Sequence, residues 1–466
     1  MRDVAFFLIW MVLFPISFWS AHIGVLLWIW TALIAPGELL YGFMSSLPYN
    51  KIIAVITFGT LLFNQEKKRF YADSTIILLV LFGLSASVST FTAIIPSHDG
   101  QFLYEKLLKI LVLAGVVSGI MWSRWRLHTA VLVICLAFGF DGMNDGLKYL
   151  LSGGGHKIVG KYSLGDNNHL ALALLMTIPL VFYCYKQSSE KISKLAFLAV
   201  IAFCVITVIG SYSRGGFIGL VVMAFMFLKN SKQKAASFSL IGLAVLLVLA
   251  LAPATYFSRV DTINAVGEDN SFLGRVIAWK ISTLIALERP FGGGMHAVQL
   301  YPVWNHYAGN IGSVLSFIET SPAGETPKAA HSIYFEVLGD LGFVGLSLFL
   351  ALIAVGFRNA SLLKRYARQD PRQQWAGDLG AAIQISLVVY CVSGGAVSMG
   401  YFETFYVLLI LLSRARRSVE ETMAEKAPPA PSRRTGRMLS ASRPAADIGR
   451  EREVILASRT AVGKGI

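Results

Sequence analysis

The amino-acid sequence predicts an all-α integral membrane protein that crosses a bilayer about twelve times and carries one long periplasmic loop. Three observations predict it. Hydrophobic residues make up 55% of the 466 positions and charged residues only 15%, where a soluble domain carries about 25% charge. The apolar residues gather into long, nearly uncharged runs. The segments between those runs alternate between basic and weakly charged.

The runs lie at 4–16, 23–34, 74–95, 109–122, 131–140, 170–185, 195–210, 217–228, 238–252, 343–355 and 383–392. With flanking residues most reach the roughly 20 positions that a spanning helix needs. Lipid offers the backbone no hydrogen bonds, so each span must satisfy its own, which favours helices. Alternating ten-residue strands of the kind that build an outer-membrane barrel are absent from the sequence. The first run follows only Arg2 and Asp3 and has no small-x-small site before His22. It therefore reads as a retained helix and not as a cleaved signal peptide. Residues 1–35 allow two spans, with the N-terminus outside, or one span broken around Pro15 and Ser20.

A net charge of +14 invites a nucleic-acid partner, but its distribution argues against one. The basic segments are 65–69, 123–128, 186–194, 229–234, 358–372 and the tail from Arg414, and the positive-inside rule places them in the cytoplasm. Segments 36–50, 96–105, 151–168, 211–216, 253–330 and 394–400 then face the other side. The longest of these, 253–330, carries Trp279, Tyr301, Trp304 and Tyr307, and unstructured loops of that length are uncommon unless functional. Helical spacing over 272–287 predicts an amphipathic helix there, lying over the outer membrane face. Residues 1–412 form the membrane domain. Residues 413–466 read as a basic Pro/Ser/Arg-rich cytoplasmic tail, disordered by composition, with Pro428, Pro429 and Pro431 near its start. The four cysteines, Cys135, Cys184, Cys204 and Cys391, stand singly in or beside apolar runs, which excludes a zinc site or a disulfide framework by spacing.

No P-loop, dinucleotide fingerprint or HExxH is present, so ATP-driven chemistry and zinc hydrolysis lack support. The candidate chemistry sits on the outer face. His331 lies where the long loop re-enters the membrane, followed by Tyr334, Phe335 and Glu336. A lone histidine is more often structural, yet imidazole titrates near neutrality and can take a proton from a hydroxyl. Arg214 sits between Ser213 and Gly215-Gly216 in a very short loop. It is either an interfacial snorkelling residue or a phosphate grip. Arg275 and Trp279 share a helix face, followed by the turn Pro290 to Gly294. Asp166 or Asn167 caps the helix that begins near Asn168 and His169. Asp141 and Asp145, at i, i+4, read as a cation site or as partners of Lys148.

These elements resemble, in order, the landmarks of the bacterial O-antigen ligase and polymerase superfamily. They are the histidine-bearing stretch 331–345, Arg214 in Ser-Arg-Gly-Gly, Gly274-Arg275 with Trp279, and the Pro290–Gly294 turn. The opening Met1-Arg2-Asp3, Tyr41-Gly42-Phe43, residues 165–173 and 331–343 are similar to one branch, the O-glycosylation ligases associated with exosortase A. The resemblance covers residues 1 to about 412. It implies transfer of a glycan from undecaprenyl diphosphate to a hydroxyl of lipid A–core, of a growing polymer or of a protein, on the periplasmic face of the inner membrane. It implies His331 as the base with Glu336 in support, and Arg214 and Arg275 on the donor diphosphate. Ser213, Asn168, His169, Trp279 and Tyr334 support them, with no metal and no cofactor. Two rivals remain: a polymerase of the same superfamily and a flippase of lipid-linked saccharide. A transporter would carry its polar residues at the midplane of both halves, whereas here they collect on one side.

Overall fold

Apolar runs flanked by capping residues become helices, and a computed structural model describes residues 2–160, 164–230, 270–308, 315 and 326–426. The helices are α1 (Arg2–Ile16), α2 (Ala21–Ile34), α3 (Pro36–Leu39), α4 (Tyr49–Phe63), α5 (Ser74–Phe91), α6 (His98–Ile120), α7 (Arg124–Leu151), α8 (Asn167–Gln187), α9 (Lys191–Gly210) and α10 (Arg214–Asn230). They continue as α11 (Asn270–Glu288), α12 (Tyr301–Ala308), α13 (Ile333–Gln369), α14 (Gln374–Ser393) and α15 (Glu403–Lys426). The described residues contain no strand. Asp73, Ser97, Ser123 and Asp166 cap α5 to α8 with side-chain oxygens on first-turn amides.

Helices α5, α7, α8, α9 and α13, and the stretch Pro371–Ala396 around α14, are long and apolar enough to cross a membrane; α1, α2 and α4 are shorter apolar helices. Apolar side chains such as Ile192, Leu195, Val80 and Leu84 stand exposed on these helices, which suits a surface covered by lipid. The N-terminal region forms two helices: α1 ends just past Pro15, the chain turns through Ser17 to Trp19, and α2 begins at Ala21. The apolar run at 238–252, residues 253–269, 309–314 and 316–325 of the long loop, and residues 427–466 lie outside the described residues.

Helix α13 packs along α14, α5 and α11, while α8 lies against α7, α9 and α14. Their directions give the bundle two ends. At one end meet the start of α7, the end of α8 and the start of α14. There Arg124 donates to Gln187 at 3.2 Å and lies 5.7 Å over the Trp375 ring. At the other meet the starts of α8, α10 and α13.

The helix expected at 272–287 is α11. Its apolar stripe, Ile277, Ile281, Leu284 and Ile285, is buried against protein side chains including Val303, Trp304 and Tyr307. The boundary expected at residue 412 falls inside α15, a correction to the disordered tail from 413. Ser413, Arg414 and Val419 are buried. Pairs Arg416–Glu420 at 3.4 Å and Arg417–Glu421 at 3.0 Å support the helix at i, i+4. The four cysteines are free, and Cys135 and Cys184 pack at 4.0 Å between sulfurs.

Candidate functional site

The site is built where three helix starts converge. Ser332 precedes α13 and His331 precedes Ser332 with φ 44°. A non-glycine residue in this left-handed region is strained, and such strain persists only where the surroundings enforce it. One enforcing contact is visible. Trp279 of α11 donates its indole N–H to the Ala330 carbonyl at 2.7 Å and stacks on Phe335, rings 5.0 Å apart and 10° from parallel. The peptide before His331 is thereby pinned from α11, and the first turn of α13 from the same indole.

The start of α8 makes the second wall. Asp166 Oδ1 accepts the amides of Asn168 at 2.9 Å and His169 at 2.8 Å, so it serves as the expected cap. The same oxygen meets His169 Nδ1 at 2.5 Å, and Asn168 Nδ2 reaches Asp166 Oδ2 at 3.4 Å. His169 Nε2 contacts the Ser398 carbonyl at 3.0 Å, which ties α8 to the segment after α14. Asn167 Nδ2 donates to the Ser211 carbonyl at 2.6 Å, which ties it to the turn before α10. In that turn Tyr212 has φ 54°, and Ser213 Oγ accepts the Gly216 amide at 3.0 Å. Ser393 Oγ donates to the Gly215 carbonyl at 2.9 Å. Ser213 is buried and acts as the cap, while Arg214 is exposed at the first position of α10.

The electrostatics link these walls. Burial lowers the proton affinity of the His331 imidazole, and the Arg275 guanidinium lowers it further, with His169 adding and Asp166 opposing. Asp166 is pushed up by burial, but its hydrogen bonds from His169 and Asn168 prevail and hold the carboxyl well below the usual range. His331 is thus kept neutral near physiological pH, beside the Arg275 guanidinium and the Asp166 carboxylate. Arg275 Nε is buried and has no hydrogen-bond partner among the described residues, an unsatisfied donor beside the histidine.

One turn into α13, Glu336 Oε2 accepts the Gly400 amide at 2.7 Å. A turn further on, Asp340 is buried and accepts the His296 amide at 2.9 Å and the Tyr401 hydroxyl at 3.1 Å, while its carbonyl accepts the Ser89 hydroxyl. Glu336, Asp340, His296, Gln299 and Ser398 line a small cleft that also touches Ala330. Sequence reasoning missed Asp340, His296 and Tyr401. The signal for Asp340 was its i, i+4 spacing from Glu336. His296 had only its place after Gly292-Gly293-Gly294. Non-helical backbone at Gly342, φ 64°, breaks α13 here, and the turn Arg289 to Gly294 fills the notch. Gly293 N donates to the Gly339 carbonyl at 3.0 Å and Val344 N to the Pro290 carbonyl at 3.2 Å. Gly292, at φ 83°, leaves no room for a Cβ beside the Asp340 carbonyl.

The structure therefore brings His331, Arg275, Trp279, Asn168 and His169 together, with Glu336 beside them and the Arg214 turn tied to the same α8 start. Tyr334 points elsewhere: its hydroxyl donates to the Cys391 carbonyl at 2.8 Å and joins α13 to α14. Asp141 and Asp145 are buried on α7, and Asp145 meets His156 Nε2 at 3.2 Å. Among the described residues no three His, Cys, Asp or Glu side chains gather as metal ligands.

Two family models match the chain. Residues 1–189 match a family of unknown function (DUF5935), which takes in Asn168 and His169. Residues 197–350 match the O-antigen ligase family, which takes in Ser213, Arg214, Arg275, Trp279, His331, Tyr334 and Glu336. No curated protein matches the chain. The chain thus carries an O-antigen ligase family domain at residues 197–350, among membrane helices and around His331, which supports membership of the O-antigen ligase superfamily.

Proposed function

We propose that the protein transfers an oligo- or polysaccharide from undecaprenyl diphosphate to an acceptor hydroxyl on lipid A–core, a glycan or a protein. The reaction takes place on the periplasmic face of the inner membrane, in a chain that crosses it about twelve times. The observation that carries this reading is the half-buried, strained His331, held neutral beside Arg275, whose Nε has no hydrogen-bond partner among the described residues.

The acceptor oxygen forms a bond to the anomeric carbon as the bond from that carbon to the diphosphate breaks. His331 takes the hydroxyl proton, and Glu336 orients the acceptor. The departing diphosphate gains negative charge, which Arg214 and Arg275 stabilise without a metal or other cofactor. Ser213 shapes the Arg214 turn, Trp279 fixes the peptide before His331, and Asn168 and His169 hold the α8 start against both. Tyr334 supports them by keeping α13 on α14.

The test is reconstitution of the purified chain with undecaprenyl diphosphate-linked glycan and a panel of acceptors. The wild type should glycosylate one acceptor, and His331→Ala should lose about 10²–10⁴-fold of the rate while inserting normally. Movement of the donor across the bilayer without any transfer would establish a flippase instead.

A further inference from the structure

We propose that the end of the bundle opposite His331 carries a binding site for an anionic phospholipid headgroup, built around Trp122. The segment between α4 and α5 lies across the end of α6: Arg69 N donates to the Gly119 carbonyl at 3.0 Å, and the Trp122 indole N–H donates to the Lys67 carbonyl at 2.9 Å. This brings three cations to one ring. Arg69 lies 4.9 Å, Arg126 5.1 Å and Lys67 5.7 Å from the Trp122 centroid. Each gains from the indole face, but the three repel one another.

The carboxylates nearby are already shared. Glu66 pairs with Arg126 and also accepts the Ala21 amide at 2.8 Å. Glu421 serves both Arg69 at 2.5 Å and Arg417 at 3.0 Å. Among the described residues, Lys67, Lys68 and Arg124 meet no carboxylate within ion-pair distance. The patch thus keeps surplus positive charge on a rigid frame.

Its apolar rim selects a lipid over a soluble anion. Trp19, Phe63, Phe70 and Trp125 border the same loops, and they are 73%, 89%, 59% and 69% exposed. Asn64 Nδ2 donates to the Trp19 carbonyl at 2.5 Å, which holds the ends of α1 and α4 together beside the cations. Exposed aromatics next to clustered lysine and arginine match the headgroup and upper acyl region of an anionic phospholipid.

The experiment is native mass spectrometry of the full chain in detergent, titrated with cardiolipin and, separately, with phosphatidylcholine. The wild type should retain cardiolipin preferentially. The double variant Lys67→Gln, Lys68→Gln should bind it about five-fold more weakly per cation removed. Lys191→Gln with Lys194→Gln, at the same end but on α9, should leave the preference unchanged. Equal retention of the two lipids, or equal losses in both double variants, would overturn the site. Displacement of cardiolipin by inorganic pyrophosphate at matched concentration would overturn the choice of a lipid.

Discussion

The notch in α13 supports a sharp prediction. At Gly342 the backbone adopts φ 64°, ψ −165°, a region open to glycine and costly to any other residue. A Cβ added there would fall on the Pro290 carbonyl oxygen and 2.5 Å from Gly292 N. Both obstacles are backbone, and neither can rotate aside. Gly342→Ala should therefore cost about 1–3 kcal/mol for the dihedral strain and about 1–3 kcal/mol more for overpacking. The displaced turn carries His296, whose amide is held by Asp340, so the cleft beside Ala330 should open and transfer should fall with stability. Gly115→Ala is the control: Gly115 sits inside α6 with nothing within 4 Å of its added Cβ. Alanine there should be neutral or stabilising by about 0.5–1 kcal/mol through helix propensity. Thermal unfolding in detergent and transfer by reconstituted protein measure both. Wild-type behaviour of Gly342→Ala in both assays, or an equal loss in Gly115→Ala, would refute the interlock.

Because burial and Arg275 lower the proton affinity of His331, its basic form should persist to lower pH than that of a free imidazole. The acid limb of the rate profile should lie below about 6.5, and Arg275→Gln should move it upward. Arg214→Lys and Arg275→Lys should each lose about 2–4 kcal/mol of transition-state stabilisation, since ammonium cannot grip two phosphate oxygens. Chelation with EDTA should change little, and full activity in both lysine variants would return these arginines to the role of interfacial anchors. A stop after Lys426 should insert and remain active, because the Pro/Ser/Arg-rich composition beyond it cannot form a core; an inserted but inactive truncation would show otherwise.

What was legible in the sequence was what local pattern determines. Apolar runs of the right length became helices, the cap at Asp166 followed from its side chain, and α11 followed from its helical stripe. The break between α1 and α2 was not legible because a proline near a helix end is compatible with a kink or a stop; the turn at Ser17 to Trp19 separates the two helices. Long-range partners were not legible. Asp340 meets His296 across 44 positions, and the broken helix at Gly342 depends on a turn some fifty residues earlier. Lys148 was the nearer partner in sequence for Asp145, yet His156 on the following loop reaches it. The 413–426 stretch looked like tail by charge, but its i, i+4 pairs and the buried Val419 make it the end of α15.

The break at Gly342 also separates two mechanical duties within α13. The piece from Ile333 to Leu341 is anchored by the Arg289–Gly294 turn, by Gly400 and by Tyr401. The longer piece beyond Gly342 is the part that meets lipid and must match whatever thickness surrounds it. Helices accommodate mismatch by tilting, and an unbroken rod would carry that tilt straight to His331. At the glycine break the Arg289–Gly294 turn bonds both pieces, through the Gly339 carbonyl and the Val344 amide. Tilt of the longer piece should therefore reach His331 by way of that turn and not along one continuous rod.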